Sequence, residues 1–166
     1  PVRFMSNYSS GKMGYAIAMA AKAKGASVEL ISGPVTLNPI TDIRTTYVET
    51  SSEMYEAVKE RVSNFDIFIS TAAIADYKPA NYSDIKYKKN ENNITIEFTR
   101  GIDILETISK KHKNLFTVGF AAETNSLKEN TKQKLAKKSL DLIVGNIANH
   151  ELKLGFESDY NEVIIL

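Results

Sequence analysis

The chain has no cysteine among its 166 residues, which excludes disulfides, thiolate metal sites and a cysteine nucleophile. Histidine is nearly absent: only His112 and His150 occur, too few for a histidine-rich metal site and poor material for a serine–histidine triad. His112 lies in Lys110-Lys111-His112-Lys113, which reads as an exposed helix end. An excess of charge of one sign is lacking as well. The formal net charge of +1 argues against bulk nucleic-acid binding and against an acidic solvating tail. No apolar run approaches the roughly 20 residues of a membrane span, and no signal peptide is recognisable. With 43% hydrophobic and 25% charged residues, the composition predicts a soluble, cytoplasmic domain with one sizeable core.

What the chain does have is a polar, glycine-punctuated stretch, Ser6-Asn7-Tyr8-Ser9-Ser10-Gly11-Lys12-Met13-Gly14, leading into an alanine-rich helix. A helix start carries free N–H groups and positive dipole character, a setting for phosphate or carboxylate. Asn7 adds a donor and an acceptor, and Lys12 a mobile positive charge. The pattern is neither a P-loop nor a dinucleotide fingerprint. Ser6 stands where the P-loop needs its first glycine, Met13 stands where it needs Ser or Thr, and Gly11-x-x-Gly14 lacks a leading glycine.

Periodicity and punctuation give the element order. A helix over 12–24 stops at Gly25, and a strand over 27–31 closes at Ser32-Gly33-Pro34. A second strand covers 44–49, and Ser51 or Ser52 caps a helix carrying Met54, Ala57, Val58 and Val62. A short apolar strand at 66–70 is of the kind buried on both faces of a parallel sheet. Residues 72–93 hold no helix, and 94–98 alternates like a strand. A helix from Asp103 to about Lys111, a strand at 116–120, a lysine-rich helix over 127–138, and strands at 140–144 and 162–166 complete the chain, the last pairing antiparallel at an edge. This alternation predicts one α/β domain, a Rossmann-like, mostly parallel sheet with helices on both faces, with about 77–99 projecting as a flap or arm. The loops after Ile31, Ser70, Phe120 and Val144 are expected at the carboxyl ends of strands, where such folds bind ligands.

Four groups of residues could carry chemistry there. In Thr71-Ala72-Ala73-Ile74-Ala75-Asp76, small side chains admit a flat base or sugar and Asp76 can accept hydrogen bonds; a plain turn is the equal alternative. Lys86-Tyr87-Lys88-Lys89 is either solvated surface or a flap lysine closing over phosphate. On the 127–138 helix, Leu127, Thr131 and Leu135 mark the buried stripe, with Lys138 between them and Lys134 at the margin, facing an anion or snorkelling. Gly119-Phe120-Ala121-Ala122-Glu123-Thr124 repeats the small-residue theme, with Phe120 able to stack on a base or to fill the core. Asp141 and Asn146 bracket the following strand end.

Asn7 with Ser9-Ser10-Gly11-Lys12-Met13-Gly14, the 72–77 segment, the Lys86-x-Lys88-Lys89 run, the 119–124 segment and Leu140-Asp141-Leu142-Ile143 occur in one order over nearly the whole chain. Together they resemble the phosphopantothenate–cysteine ligase family, the synthetase half of the bacterial bifunctional coenzyme A biosynthesis flavoprotein. The resemblance implies that CTP activates the carboxylate of 4′-phosphopantothenate as an acyl-cytidylate, with pyrophosphate released and magnesium assisting. The amine of L-cysteine then attacks, giving phosphopantothenoylcysteine and CMP. By the same resemblance, Asn7 holds the acyl-cytidylate and Lys86 acts on substrate or nucleotide phosphate. Ala72, Ala73 and Asp76 line the cytidine pocket, joined by Ile102, Asp103, Ile104, Leu105, Phe120, Lys134 and Lys138, with the metal ligands unassigned. It also implies a homodimer in which the arm takes part. A strand and glycine-rich turn ahead of Pro1 and, further upstream, a flavin-dependent phosphopantothenoylcysteine decarboxylase are implied too; no flavin is expected in this domain. The alternative is a Rossmann-like nucleotide-binding module without ligase activity. Nucleic-acid and membrane partners are not expected.

Overall fold

The computed structural model describes residues 6–81, 95–147 and 161–166. In chain order the elements are α1 (Lys12–Ala23), β1 (Glu29–Ser32), β2 (Arg44–Tyr47), α2 (Ser51–Arg61), β3 (Ile67–Ser70), β4 (Tyr77–Pro79) and β5 (Phe98–Arg100). They continue with α3 (Ile104–Lys111), β6 (Phe116–Glu123), α4 (Leu127–Lys137), β7 (Leu142–Ile147) and β8 (Val163–Ile165). The expected α/β, mostly parallel architecture is present: β1 pairs parallel with β2, and β3, β6 and β7 form a parallel ladder. β8 adds antiparallel at the edge of that ladder, in the order β3-β6-β7-β8. The described strands therefore form separate ladders rather than one continuous sheet.

Local chemistry sets the helix ends. α1 begins after Gly11, whose φ of +77° favours a residue without Cβ, and ends before Gly25, whose φ is +88°. α2 is capped by Thr50, not by Ser51 or Ser52 as expected. Thr50 has extended backbone, and its hydroxyl accepts from Glu53 N at 3.1 Å. The Glu53 carboxylate accepts from Thr50 N at 3.2 Å, which completes a capping box. Ser51 and Ser52 are already inside the helix and cannot cap it.

Helices cover both faces of β1. Ile31 packs on a core cluster of Met54, Val58, Val62, Ile104, Ile108 and Leu115, which joins α2 to α3. Ser32, the next residue, points to the other face. There its Oγ accepts a buried hydrogen bond of 3.1 Å from the Tyr15 hydroxyl of α1. Phe68 of β3 and Ile74 pack on the same cluster as Ile31, and each fully buried aliphatic side chain in it contributes roughly 1.5–3 kcal/mol.

Two glycines seat α3 and α4 on the ladder. A Cβ at Gly119 of β6 would lie 2.7 Å from Leu140 Cδ1 and 2.8 Å from Leu105 Cδ2. A Cβ at Gly145 of β7 would overlap the Thr131 hydroxyl and come within 3.0 Å of Thr131 Cγ2 on α4. Thr131 is fully buried against that strand.

Some boundaries differ from expectation. β6 and β7 run on to Glu123 and Ile147, so Phe120 and Val144 lie inside strands, not at loop entrances. The strand expected over 94–98 is found at Phe98–Arg100, with Ile94 outside the described residues. It pairs antiparallel with Tyr77–Pro79, a strand the composition of that segment concealed. Within the expected flap, the described residues 77–79 and 98–99 make this exposed ribbon. Asp141 stands at the amino end of β7 rather than beside its carboxyl end. Its Oδ2 accepts from Thr117 N at 2.7 Å and from Thr117 Oγ1 at 2.9 Å, fastening β6 to β7.

Candidate functional site

The loop that leaves β3 is met by the segment that enters α1. Asn7 Nδ2 donates to the Ala73 carbonyl at 2.6 Å, and Asn7 Oδ1 accepts from Ser9 N at 2.9 Å. Both ends of the amide are thus engaged, leaving one Nδ2 hydrogen for a ligand. Gly14 permits the approach, since a Cβ there would lie 2.7 Å from Thr71 Oγ1. No acidic residue occupies the first turn of α1, so nothing there opposes an anion at its start.

A cavity of about 220 Å³ opens beside this loop. Ala72, Ala73 and Asp76 form one wall, and Ile102, Asp103, Ile104 and Leu105, at the start of α3, form another. Phe120 from β6 and Lys134 and Lys138 from the end of α4 complete it. Every residue assigned to the nucleotide pocket by resemblance, except Lys86, therefore borders one space. Lys86 lies outside the described residues. Arg100 and Gly101 also line the cavity, and Gly101 N donates to Asp76 O at 2.7 Å, tying the β4–β5 ribbon to the Asp76 loop.

The two lysines do not point at an empty anion site. Lys138 Nζ lies 2.7 Å from Asp103 Oδ2, and Lys134 Nζ lies 2.6 Å from Glu123 Oε1. The sequence leaves them facing an anion or snorkelling, and the anion that each faces is a carboxylate of this chain. Asp103 is also the α3 cap, its Oδ1 accepting from Glu106 N at 3.0 Å. Partial burial pushes the Asp103 pKa up. The Lys138 and Glu106 N–H hydrogen bonds and the charges of Lys138 and Arg100 outweigh that and hold it below the usual aspartate value.

Glu123 stands in the 119–124 segment noted in the sequence, which assigns it no role of its own. Its signal is an acid after small residues at a strand end, as at Ala75-Asp76, but its burial depends on α4 folding over it. A second cavity, about 330 Å³, lies at the amino ends of β1 and β2. Its Arg44 and Arg61 are both paired with Glu29, at 3.4 and 3.8 Å, so it offers no uncompensated charge. Among the described residues no group of three or more His, Asp or Glu side chains could hold a metal ion by itself. Among them, too, no helix is long and apolar enough to cross a membrane.

These features define an α/β domain with a mostly parallel ladder, and its cavity gathers small residues, the carboxylates of Asp76 and Asp103, and two paired lysines. The whole chain, residues 1–166, matches the family described as DNA/pantothenate metabolism flavoprotein C-terminal domain, and it belongs to that family. The coenzyme A biosynthesis bifunctional protein CoaBC of Vibrio vulnificus (strain YJ016) is 45% identical over 168 residues, covering 99% of this chain and 42% of that protein. The protein of the same name from Bacillus subtilis (strain 168) is 45% identical over 166 residues, covering 99% of this chain and 41% of that one. The chain thus spans about two fifths of the length of these relatives. The crystal structure of the C-terminal domain of coenzyme A biosynthesis bifunctional protein CoaBC matches with a TM-score of 0.77 at 39% identity, covering 100% of this chain and 78% of that one.

Proposed function

We propose that the chain is the CTP-dependent phosphopantothenate–cysteine ligase domain of a coenzyme A biosynthesis enzyme. The observation that carries this reading is the single cavity shared by the Ala72–Asp76 loop, the start of α3, Phe120 and the α4 lysines, with Asn7 bonded to its rim. Likeness to the C-terminal domain of CoaBC supports a place in coenzyme A biosynthesis, and the order of the sequence motifs supports the ligase reaction.

A carboxylate is a poor electrophile, and joining it to a nucleotide phosphate supplies a good leaving group. That step needs donors and charges around the phosphoryl group rather than a nucleophilic side chain. Asn7, held by Ala73, would present its remaining N–H to the acyl-cytidylate, near the backbone amides at the start of α1. Lys86 would neutralise phosphate charge from the arm. The small side chains of Ala72 and Ala73 would let the nucleotide lie on the backbone, with Phe120 as a wall of the same cavity. Of the two cavity carboxylates, Asp76 is the one that no ion pair engages among the described residues, whereas Asp103 is taken by Lys138. Magnesium binds through one or two carboxylates plus substrate phosphates, so Asp76 fits it; when bound, the ion would neutralise charge on the phosphates. The remaining parts of the reading are a homodimer and association with a flavin-dependent decarboxylase carried elsewhere in the protein.

The test combines the complete protein with CTP, magnesium and 4′-phosphopantothenate and follows pyrophosphate release with and without L-cysteine. Release that requires phosphopantothenate, with the amide product formed only when cysteine is added, is expected. Nucleotide binding without any release would assign a binding module lacking ligase activity.

A further inference from the structure

The Glu123 side chain is only 11% exposed, and its Oε1 is shut off from solvent. Burying a carboxylate is costly unless it is paired. Oε2 accepts from Asn130 Nδ2 at 3.1 Å. Oε1 accepts no hydrogen bond of good geometry; what it has is the Lys134 charge 2.6 Å away. Asn130 and Lys134 are one turn apart on α4, so a single carboxylate at the end of β6 fixes that face of the helix. Lys134 in turn is 45% exposed and borders the cavity, unlike its partner.

We propose that Glu123 is a positioning residue that holds Lys134 as a charge-compensated N–H donor for the base, not the phosphates, of the bound nucleotide. This rests on the nucleotide reading above. The pair has no net charge, so it offers a phosphate little attraction. The ammonium has three N–H groups and one carboxylate oxygen beside it, so at least two N–H groups remain available to a neutral acceptor such as a ring carbonyl or imine nitrogen. Lys138, paired with Asp103 on the same wall, is compensated in the same way.

The sign of one substitution separates the possibilities. Glu123→Gln removes the compensating charge at nearly constant shape. If Lys134 served phosphates, the freed cation would tighten CTP more than CMP. If Glu123 positions Lys134 for the base, CTP and CMP weaken alike, by about tenfold, the worth of one charge-assisted hydrogen bond. Lys134→Met should cause the same loss. The double variant should be no worse than either single one, because the two residues act as a unit.

The experiment is calorimetric titration of the complete protein and its variants with CTP and CMP, with folding checked by circular dichroism. Equal, non-additive weakening of both nucleotides supports the proposal. Unchanged affinity, additive losses or selective tightening of CTP overturns it. Should Glu123→Gln fail to fold, Glu123→Asp and Lys134→Met carry the same comparison, each expected to weaken both nucleotides equally. A wild-type protein that binds neither nucleotide overturns the nucleotide reading and this proposal with it. A wild-type protein that binds both, beside variants that bind equally well, overturns this proposal alone.

Discussion

Asn7 and Ala73, 66 residues apart in the chain, are joined by a 2.6 Å hydrogen bond from the Asn7 amide to the Ala73 carbonyl. That bond brings the polar entry of α1 to the edge of the cavity. Asn7→Asp replaces the donor with an acceptor and sets a carboxylate against a carbonyl. Formation of the cysteine product should fall about a hundredfold, as for loss of one preorganised donor. Pyrophosphate release with phosphopantothenate should fall much less. Equal loss of both would remove Asn7 from its assigned role.

Gly14 and Thr71 are in closer contact than a side chain at 14 allows. Gly14→Ala places a methyl group 2.7 Å from Thr71 Oγ1 and pushes the Ala72–Asp76 loop outward. The gain in helix propensity is about 1 kcal/mol, so the melting temperature should change little while nucleotide affinity drops. Thr71→Ala in the same chain should restore affinity. Failure of that rescue, read by titration with CTP, would show that the contact is not what sets the loop.

Asp103 makes stability depend on acid. Its pKa is depressed in the folded state, so its contribution is fully present above the ordinary value of 3.8 and is lost as pH falls through the folded value. The Asp103 side chain is 24% and that of Lys138 25% exposed, so solvent screens part of the pair. Asp103→Asn should lower stability at pH 7 and flatten the fall in stability below about pH 4. Urea titrations at pH 7, 4 and 3 would check this, and parallel curves for the two proteins would contradict it.

Asp141 is a structural acid, and its loss should leave the site alone. Asp141→Ala strands the Thr117 N–H and hydroxyl in a residue that is 1% exposed. The cost should be about 2–3 kcal/mol in urea unfolding. The KM for CTP of the protein that remains folded should not change.

Where an element carries its own punctuation, the sequence shows it. α1 is bracketed by Gly11 and Gly25, each at positive φ, and its helix was read to within a residue or so. The lengths of β6 and β7 were hidden because Gly119, Ala121, Ala122 and Gly145 are weak strand formers, and the ladder that holds them extended is a tertiary fact. β4 was hidden because Pro79 ends a strand that pairs only along a short, exposed ribbon. Thr50 was passed over because Ser51 and Ser52 are equally good caps by type, and only backbone geometry chooses among them. At the site, small residues followed by an acid were legible at 72–76. The partners of Lys134 and Lys138 were not, because Glu123 and Asp103 reach them from other elements.

The absence of a side chain at Gly145 has a mechanical result. Thr131 and Leu127 rest on that bare stretch of strand, so α4 is set down as one stiff rod at a distance decided by a single missing methyl. Lys134 and Lys138 ride on the far end of the same rod. Widening residue 145 by one carbon would therefore lift both ammonium groups together, resizing the mouth of the cavity from a strand position that never borders it.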